Sequence, residues 1–233
     1  TGFAGTPTVN VNVTTEWQRF SITQNNPTNP ANGYAQIRSI DTSGGSVYVW
    51  GAQMEYQNYA TSLIPTSGTT VTRAADSANG AGDASTFNSE QGILFAEFSA
   101  LANDGTYRAI YINDNAATRY VGLRYSNNAN QIQAISFDGS NLGFIAHTLS
   151  NATAFSKFAV KFGATGISLY IDGSLIGSDA TFTGIASNEL DELLFNSNSG
   201  TQAFYGKCKD LRVYDTEGMT DTEIDNLLTQ LTQ

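Results

Sequence analysis

Apolar and polar residues alternate over short runs along most of this chain, and turns rich in Gly, Asn, Ser and Asp separate the runs. A period of two puts every second side chain on one face of an extended strand, so each run buries one face and wets the other. A helix needs a period near 3.6, and only one stretch supplies it. The pattern predicts an all-β protein of two packed antiparallel layers. A chain of 233 residues has room for one large β domain or two smaller units.

Residues 8–13, 17–23 and 46–54 are predicted strands, with a less regular fourth at 34–40. Three or four strands seldom form a stable sandwich alone, so residues 1–66 read as part of a larger β unit. Residues 67–86 shift to Ser, Thr, Gly, Ala and Asp, the composition of a connection. Strands resume at 93–101, 107–113, 118–125, 131–137, 157–162, 166–171, 174–177, 190–196 and 204–214. Asp172-Gly173 between two of them is a hairpin signal. These runs, over residues 87–233, fit a two-sheet sandwich. The one helix closes the chain: Thr220 caps it, Glu223 completes a capping box, and Ile224, Leu227, Leu228 and Leu231 form its apolar stripe. It is expected on an edge or outer face.

Charge narrows the partners. With 21 acidic against 11 basic residues the net charge is -10, which repels nucleic acid phosphates and anionic lipid. No apolar run approaches the ~20 residues of a membrane span, so no membrane insertion is expected. One cysteine, Cys208, leaves no internal disulfide, and one histidine, His147, leaves no poly-histidine metal site. The sequence opens at Thr1 without an initiator methionine or signal-like segment, which reads as part of a longer chain.

Two stretches carry a family resemblance. VYVWGAQME at 47–55, ATSLIPT at 60–66 and VTRAAD at 71–76 resemble a junction found in many bacteriophage tail and virion proteins. There, the last strands of a carbohydrate-binding-module-like jelly roll run into a recurring connection. From Phe87 onward the chain resembles a laminin G-like, concanavalin A-like lectin/glucanase domain. FYGKCKDLRVYD at 204–215 and MTDTEI at 219–224 match its last strand and terminal helix. The resemblance implies a partial jelly roll at 1–66, a connection at 67–86 and a laminin G-like sandwich at 87–233. It also implies a virion component (tail fibre, spike or head decoration) that binds host-surface glycans or serves virion assembly. A homotrimer and contacts with other virion proteins are the implied partners, and the virion is the implied location. The alternatives are an accessory carbohydrate-binding module of a secreted polysaccharide-degrading enzyme, or a purely structural capsid or tail part.

The residues argue against an enzyme. Glycosidases on this fold need carboxylates on one face of a strand, two of them about 5 Å apart for retention. Glu189 and Asp191 have the spacing, but positions 193 and 194 are both Leu, and Glu192 alternates to the opposite face. His147 has no nucleophile-elbow serine motif to serve, and Cys208 reads as a small packed thiol.

Binding residues are easier to place. Inward Ile110, Ile112, Val121 and Leu123 send Tyr107, Tyr111, Tyr120 and Arg124 to the other face of their strands. If the two strands are neighbours, these four share one surface, suited to a sugar or to a neighbouring subunit. Laminin G-like domains often hold calcium at one rim. Asp104, Asp114, Asp138 and Asp172, all in predicted turns, are the calcium candidates, with Asx-turn formation as the alternative. No other cofactor is expected.

Overall fold

The structure, a computed structural model, describes residues 8–23, 36–38, 44–55, 59–72, 81–116, 118–197, 199 and 201–233. The chain divides into two units, Thr1–Arg73 and Ala74–Gln233. The division falls inside the predicted connection.

The second unit contains β1 (Gly92–Ala100), β2 (Arg108–Asn113), β3 (Tyr120–Tyr125), β4 (Gln131–Phe137), β5 (Leu142–Thr148), β6 (Ser156–Gly163), β7 (Gly166–Ile171), β8 (Ser174–Asp179), β9 (Glu192–Leu194), β10 (Gly206–Asp215) and the helix α1 (Asp221–Thr232). The strands form two five-stranded antiparallel sheets, ordered β10-β1-β6-β7-β8 and β5-β4-β3-β2-β9. Leu94, Phe98, Phe158, Val160 and Leu169 of the first sheet meet Ile110, Val121, Leu123 and Ile132 of the second in one core. Burial of each such side chain contributes about 1.5–3 kcal/mol.

β1 departs from simple alternation because both of its faces are buried. Its outward residues Ile93 and Phe95 pack with Ala159 and Tyr170 under Ile224 and Leu228 of α1. The helix therefore closes the outer face of the first sheet. Its capping box forms as predicted, with Thr220 accepting from the Glu223 amide and Glu223 answering to the Thr220 amide. Tyr170 donates to Asp225 at 3.1 Å, and the Gly173 amide donates to Thr232 Oγ1 at 2.9 Å, which fastens both halves of the helix. Asp172 (φ 45°) and Gly173 (φ 83°) both have positive φ, the backbone of a type I′ hairpin turn between β7 and β8.

One strand escapes the sequence pattern. In β5, Leu142 and Phe144 face outward and are exposed, while Gly143 and Ile145 face inward. Apolar residues on the wet face and a glycine on the dry one blur the alternation. Gly143 is needed because a Cβ there would stand 2.8 Å from Phe182 Cβ. His147 is half-buried on the same strand. Cys208 is a correction: it is exposed on the edge strand β10 rather than packed. Partial burial, with the nearby charges of Asp210 and Glu97, pushes its thiol pKa up and away from a reactive thiolate.

In the first unit, the described residues of the predicted strands 8–13, 17–23 and 46–54 form no regular strand, and most of 34–40 lies outside the described residues. Trp17, Tyr48 and Trp50 are exposed, and so are Val47 and Val49 on the alternate positions. Neither face of these runs finds a packing layer among the described residues, and a strand without a partner layer gains little. What holds the unit's junction is a side-chain clasp. Glu55 Oε1 accepts from the Thr61 amide at 3.0 Å and Oε2 from its hydroxyl at 2.8 Å, while Gln53 Oε1 accepts from the Ile64 amide at 2.6 Å. Arg19 donates to the Thr61 carbonyl. The Gln-x-Glu spacing thus pins residues 61–64.

Among the turns of the sandwich, Asp138 makes the densest connection. It accepts from the amides of Ser140 (2.9 Å) and Asn141 (2.7 Å) in its own turn, and from the amide (3.1 Å) and hydroxyl (2.7 Å) of Thr183 across the sequence. Some burial raises its pKa, but these donors outweigh it and hold the carboxyl well below its ordinary value. A depressed folded-state pKa contributes stability above the unfolded value near 4 and loses it as pH falls further. Asp138→Asn is therefore expected to lower the urea midpoint at pH 7 and to flatten its decline below about pH 4. Equal acid dependence in both proteins would contradict this.

Candidate functional site

With one outer face closed by α1, the outer face of the second sheet is the candidate surface. Register fixes its composition. One row across the strands reads Glu192, Asn113, Tyr120, Phe137 and Leu142, and the next Leu194, Tyr111, Gly122, Ile135 and Phe144. A third row carries Ala109, Arg124, Gln133 and Ala146. Tyr107 precedes β2 at the same end as Ser126 and Gln131. β2 and β3 are neighbours, so the expected surface forms.

The four predicted residues form two contacts, Tyr111 with Tyr120 beside Gly122 and Arg124 with Tyr107. A Cβ on Gly122 would lie 2.1 Å from Tyr111 Cδ1, so the Tyr111 ring occupies the space of the missing side chain. There it stacks on Tyr120, with centroids 5.2 Å apart and planes 19° apart, and Tyr120 meets Phe137 at 5.9 Å. On the other side, the Arg124 guanidinium sits 4.9 Å from the centroid of Tyr107. Arg124 Nε donates to Gln133 Oε1 at 2.8 Å, and Gln133 in turn donates to Gln131 Oε1 at 2.8 Å. Tyr107 donates to Asn127 Oδ1 at 3.0 Å.

The four residues are not equivalent. Tyr111 is only 1% exposed, so it supports the face from within. Burial pushes its phenol pKa far up, and the charge of Arg124 only partly offsets this. Tyr107, Tyr120 and Arg124 are half-buried and keep surface for a partner. Phe137, Gln131 and Gln133 belong to the same face and were missed in the sequence, although β4 alternation together with the register would have found them. The arrangement offers the half-buried rings of Tyr120 and Phe137 at one end and Gln131, Arg124 and Tyr107 at the other, with Gln133 buried beneath as support, and these suit the C–H faces and hydroxyls of a sugar.

The four calcium candidates are distributed over the turns of the sandwich. They occupy separate turns: Asp104 between β1 and β2, Asp114 between β2 and β3, Asp138 between β4 and β5, and Asp172 between β7 and β8. Asp104 receives the buried Arg108 at 2.8 and 2.9 Å, Asp114 binds the Thr118 amide at 2.8 Å, and Asp172 accepts from the Lys157 amide at 2.8 Å. Among the described residues, Asp138 alone of the four also accepts from a distant turn, through Thr183. No group of three or more His, Cys, Asp or Glu side chains suited to a metal occurs among the described residues. Glu189 and Asp191 precede β9 rather than sharing a strand face, and Glu189 pairs with Arg119 at 3.4 Å. Among the described residues no helix is long and apolar enough to cross a membrane.

Comparison with known proteins agrees with this architecture. The profile of the concanavalin A-like lectin/glucanases superfamily, laminin G type, matches residues 94–225. The chain belongs to that superfamily. Comparison with curated protein sequences finds no match. Among solved structures, the chain is similar to the CBM40 of a Ruminococcus gnavus IT-sialidase, with a TM-score of 0.50 and 16% identity over 66% of this chain and 94% of that one. It is also similar to a leech intramolecular trans-sialidase, with a TM-score of 0.46 and 17% identity over 62% of this chain but only 23% of that one. Domains LG4-5 of the mouse laminin alpha1 chain align with a TM-score of 0.43 and 12% identity, over 64% of this chain and 46% of that one.

The Gly122 notch yields a test. Gly122→Ala forces the new methyl into the Tyr111 ring and is expected to lower stability by about 1–3 kcal/mol. In a Tyr111→Ala background the same change meets no ring and costs clearly less. Urea denaturation of the wild type, both single variants and the double variant measures this, and equal costs in the two backgrounds would refute the contact.

Proposed function

We propose that this chain is a non-catalytic glycan-binding module of a virion, in a tail fibre, spike or head decoration, and that it acts as a homotrimer. The observation that carries the glycan reading is the aromatic and amide face of the second sheet, with Tyr107, Tyr120 and Arg124 as contact residues. The resemblance of residues 47–76 to a phage-type junction supports the virion setting. Repeated copies multiply weak sugar contacts into useful avidity. Glu189 and Asp191 precede β9 instead of sharing a strand face, and Glu189 pairs with Arg119, which supports binding without hydrolysis.

A second reading is an accessory carbohydrate-binding module of a secreted polysaccharide-degrading enzyme. It is favoured by the likeness to the sialidase CBM40, nearly all of which the chain spans.

A glycan array, followed by titration of the best ligand, tests the shared core of both readings. Tyr120→Ala is expected to weaken binding several-fold, to about tenfold, without unfolding the protein. No glycan binding, or binding unaffected by the substitution, would count against this face. Light scattering separates the two settings: three times 24.9 kDa supports the fibre or decoration protein, and a monomer supports the detached module.

A further inference from the structure

We infer that the glycan taken by this face bears a carboxylate, and that Arg124 meets the acid group. The inference rests on the glycan-binding reading above and adds the class of sugar.

It starts from how the arginines of the second unit are partnered. Arg108 meets Asp104 at 2.8 Å, Arg119 meets Asp114 at 3.7 Å and Glu189 at 3.4 Å, and Arg212 meets Asp210 at 2.6 Å. Arg124 alone of the four has no carboxylate within 4 Å among the described residues. In a chain with 21 acidic and 11 basic residues, an arginine set among neutral groups runs against the composition.

The neutral surroundings are specific. Gln133 takes Nε through its amide oxygen, and the Tyr107 ring lies under the guanidinium. The nearby Tyr111 phenol keeps its proton, since burial holds its pKa above the ordinary value. These contacts set the plane of the guanidinium without cancelling its charge. A half-buried cation has lost part of its hydration, and neutral partners return only part of that cost. With Nε engaged by Gln133 and the Tyr111 phenol hydrogen-bonded to the guanidinium, the remaining Nη hydrogens are left for a carboxylate.

The rest of the face leaves room for an anion. Across its three rows, Glu192 at one corner is the only acidic residue, on the row with Tyr120 rather than with Arg124. A carboxylate at Arg124 therefore meets no like charge on its own row, while Tyr120, about 13 Å along the strand, is left to a further ring of the same glycan.

The test uses the whole chain and matched probes: tri-galacturonate against its neutral methyl ester, and 3′-sialyllactose against lactose. Titration calorimetry is expected to show the acidic member of at least one pair binding about tenfold or more tightly. Arg124→Gln should abolish that preference while the melting temperature stays close to wild type, and Arg124→Lys should restore it only in part. Tyr120→Ala should weaken the acidic and neutral members alike. Equal affinity for acid and neutral members, or a preference that survives Arg124→Gln, would overturn the acidic-sugar inference and leave glycan binding intact. Failure of every probe and of the glycan array would overturn the glycan-binding reading itself.

Discussion

The double burial of β1 organises the sandwich. Its inner residues Leu94 and Phe98 enter the common core, and its outer residues Ile93 and Phe95 lie under α1. Neither face of β1 is open to a partner, and its neighbours β6 and β7 share the cover through Ala159 and Tyr170. On the other sheet β2 is buried along its whole length as well, so the surface left to a partner there is that of the half-buried Tyr107, Tyr120, Arg124 and Phe137 and the exposed Leu142 and Phe144. The helix is thus a structural lid over the first sheet.

On the outer face of the second sheet the determining contact is between a glycine and a ring. Tyr111 fills the space that a side chain on Gly122 would occupy, stacks on Tyr120 and lies beside Arg124. This divides labour among residues that look alike in the sequence. Tyr111 becomes part of the support, whereas Tyr107, Tyr120 and Arg124 keep accessible surface. Fixing side chains in this way lowers the entropy lost when a ligand binds, because they are already ordered.

Much of the sandwich was legible because its strands alternate and their turns are marked. β4 and β7 coincide with the predicted runs, Asp172-Gly173 forms the hairpin, and Thr220 with Glu223 starts the helix. β5 was not legible, since it places Leu142 and Phe144 outward and Gly143 inward. The first unit shows the opposite failure. Its runs alternate well, yet no strand forms among the described residues, since alternation records a preference for pairing and cannot supply the partner. At the site, the face of the four candidates followed from a period of two. The burial of Tyr111 did not, because it depends on a residue eleven positions away.

The sequence by itself determined the fold class, the terminal helix with its caps and the two strands whose side chains build the face, because these depend on local periodicity and turn chemistry. Tertiary structure alone decided that Gln131, Gln133 and Phe137 join the face, and that Arg124 lies among neutral groups while the other three arginines of its unit meet carboxylates. Those outcomes depend on strand order and register, which bring together residues far apart in the chain and which no local pattern encodes.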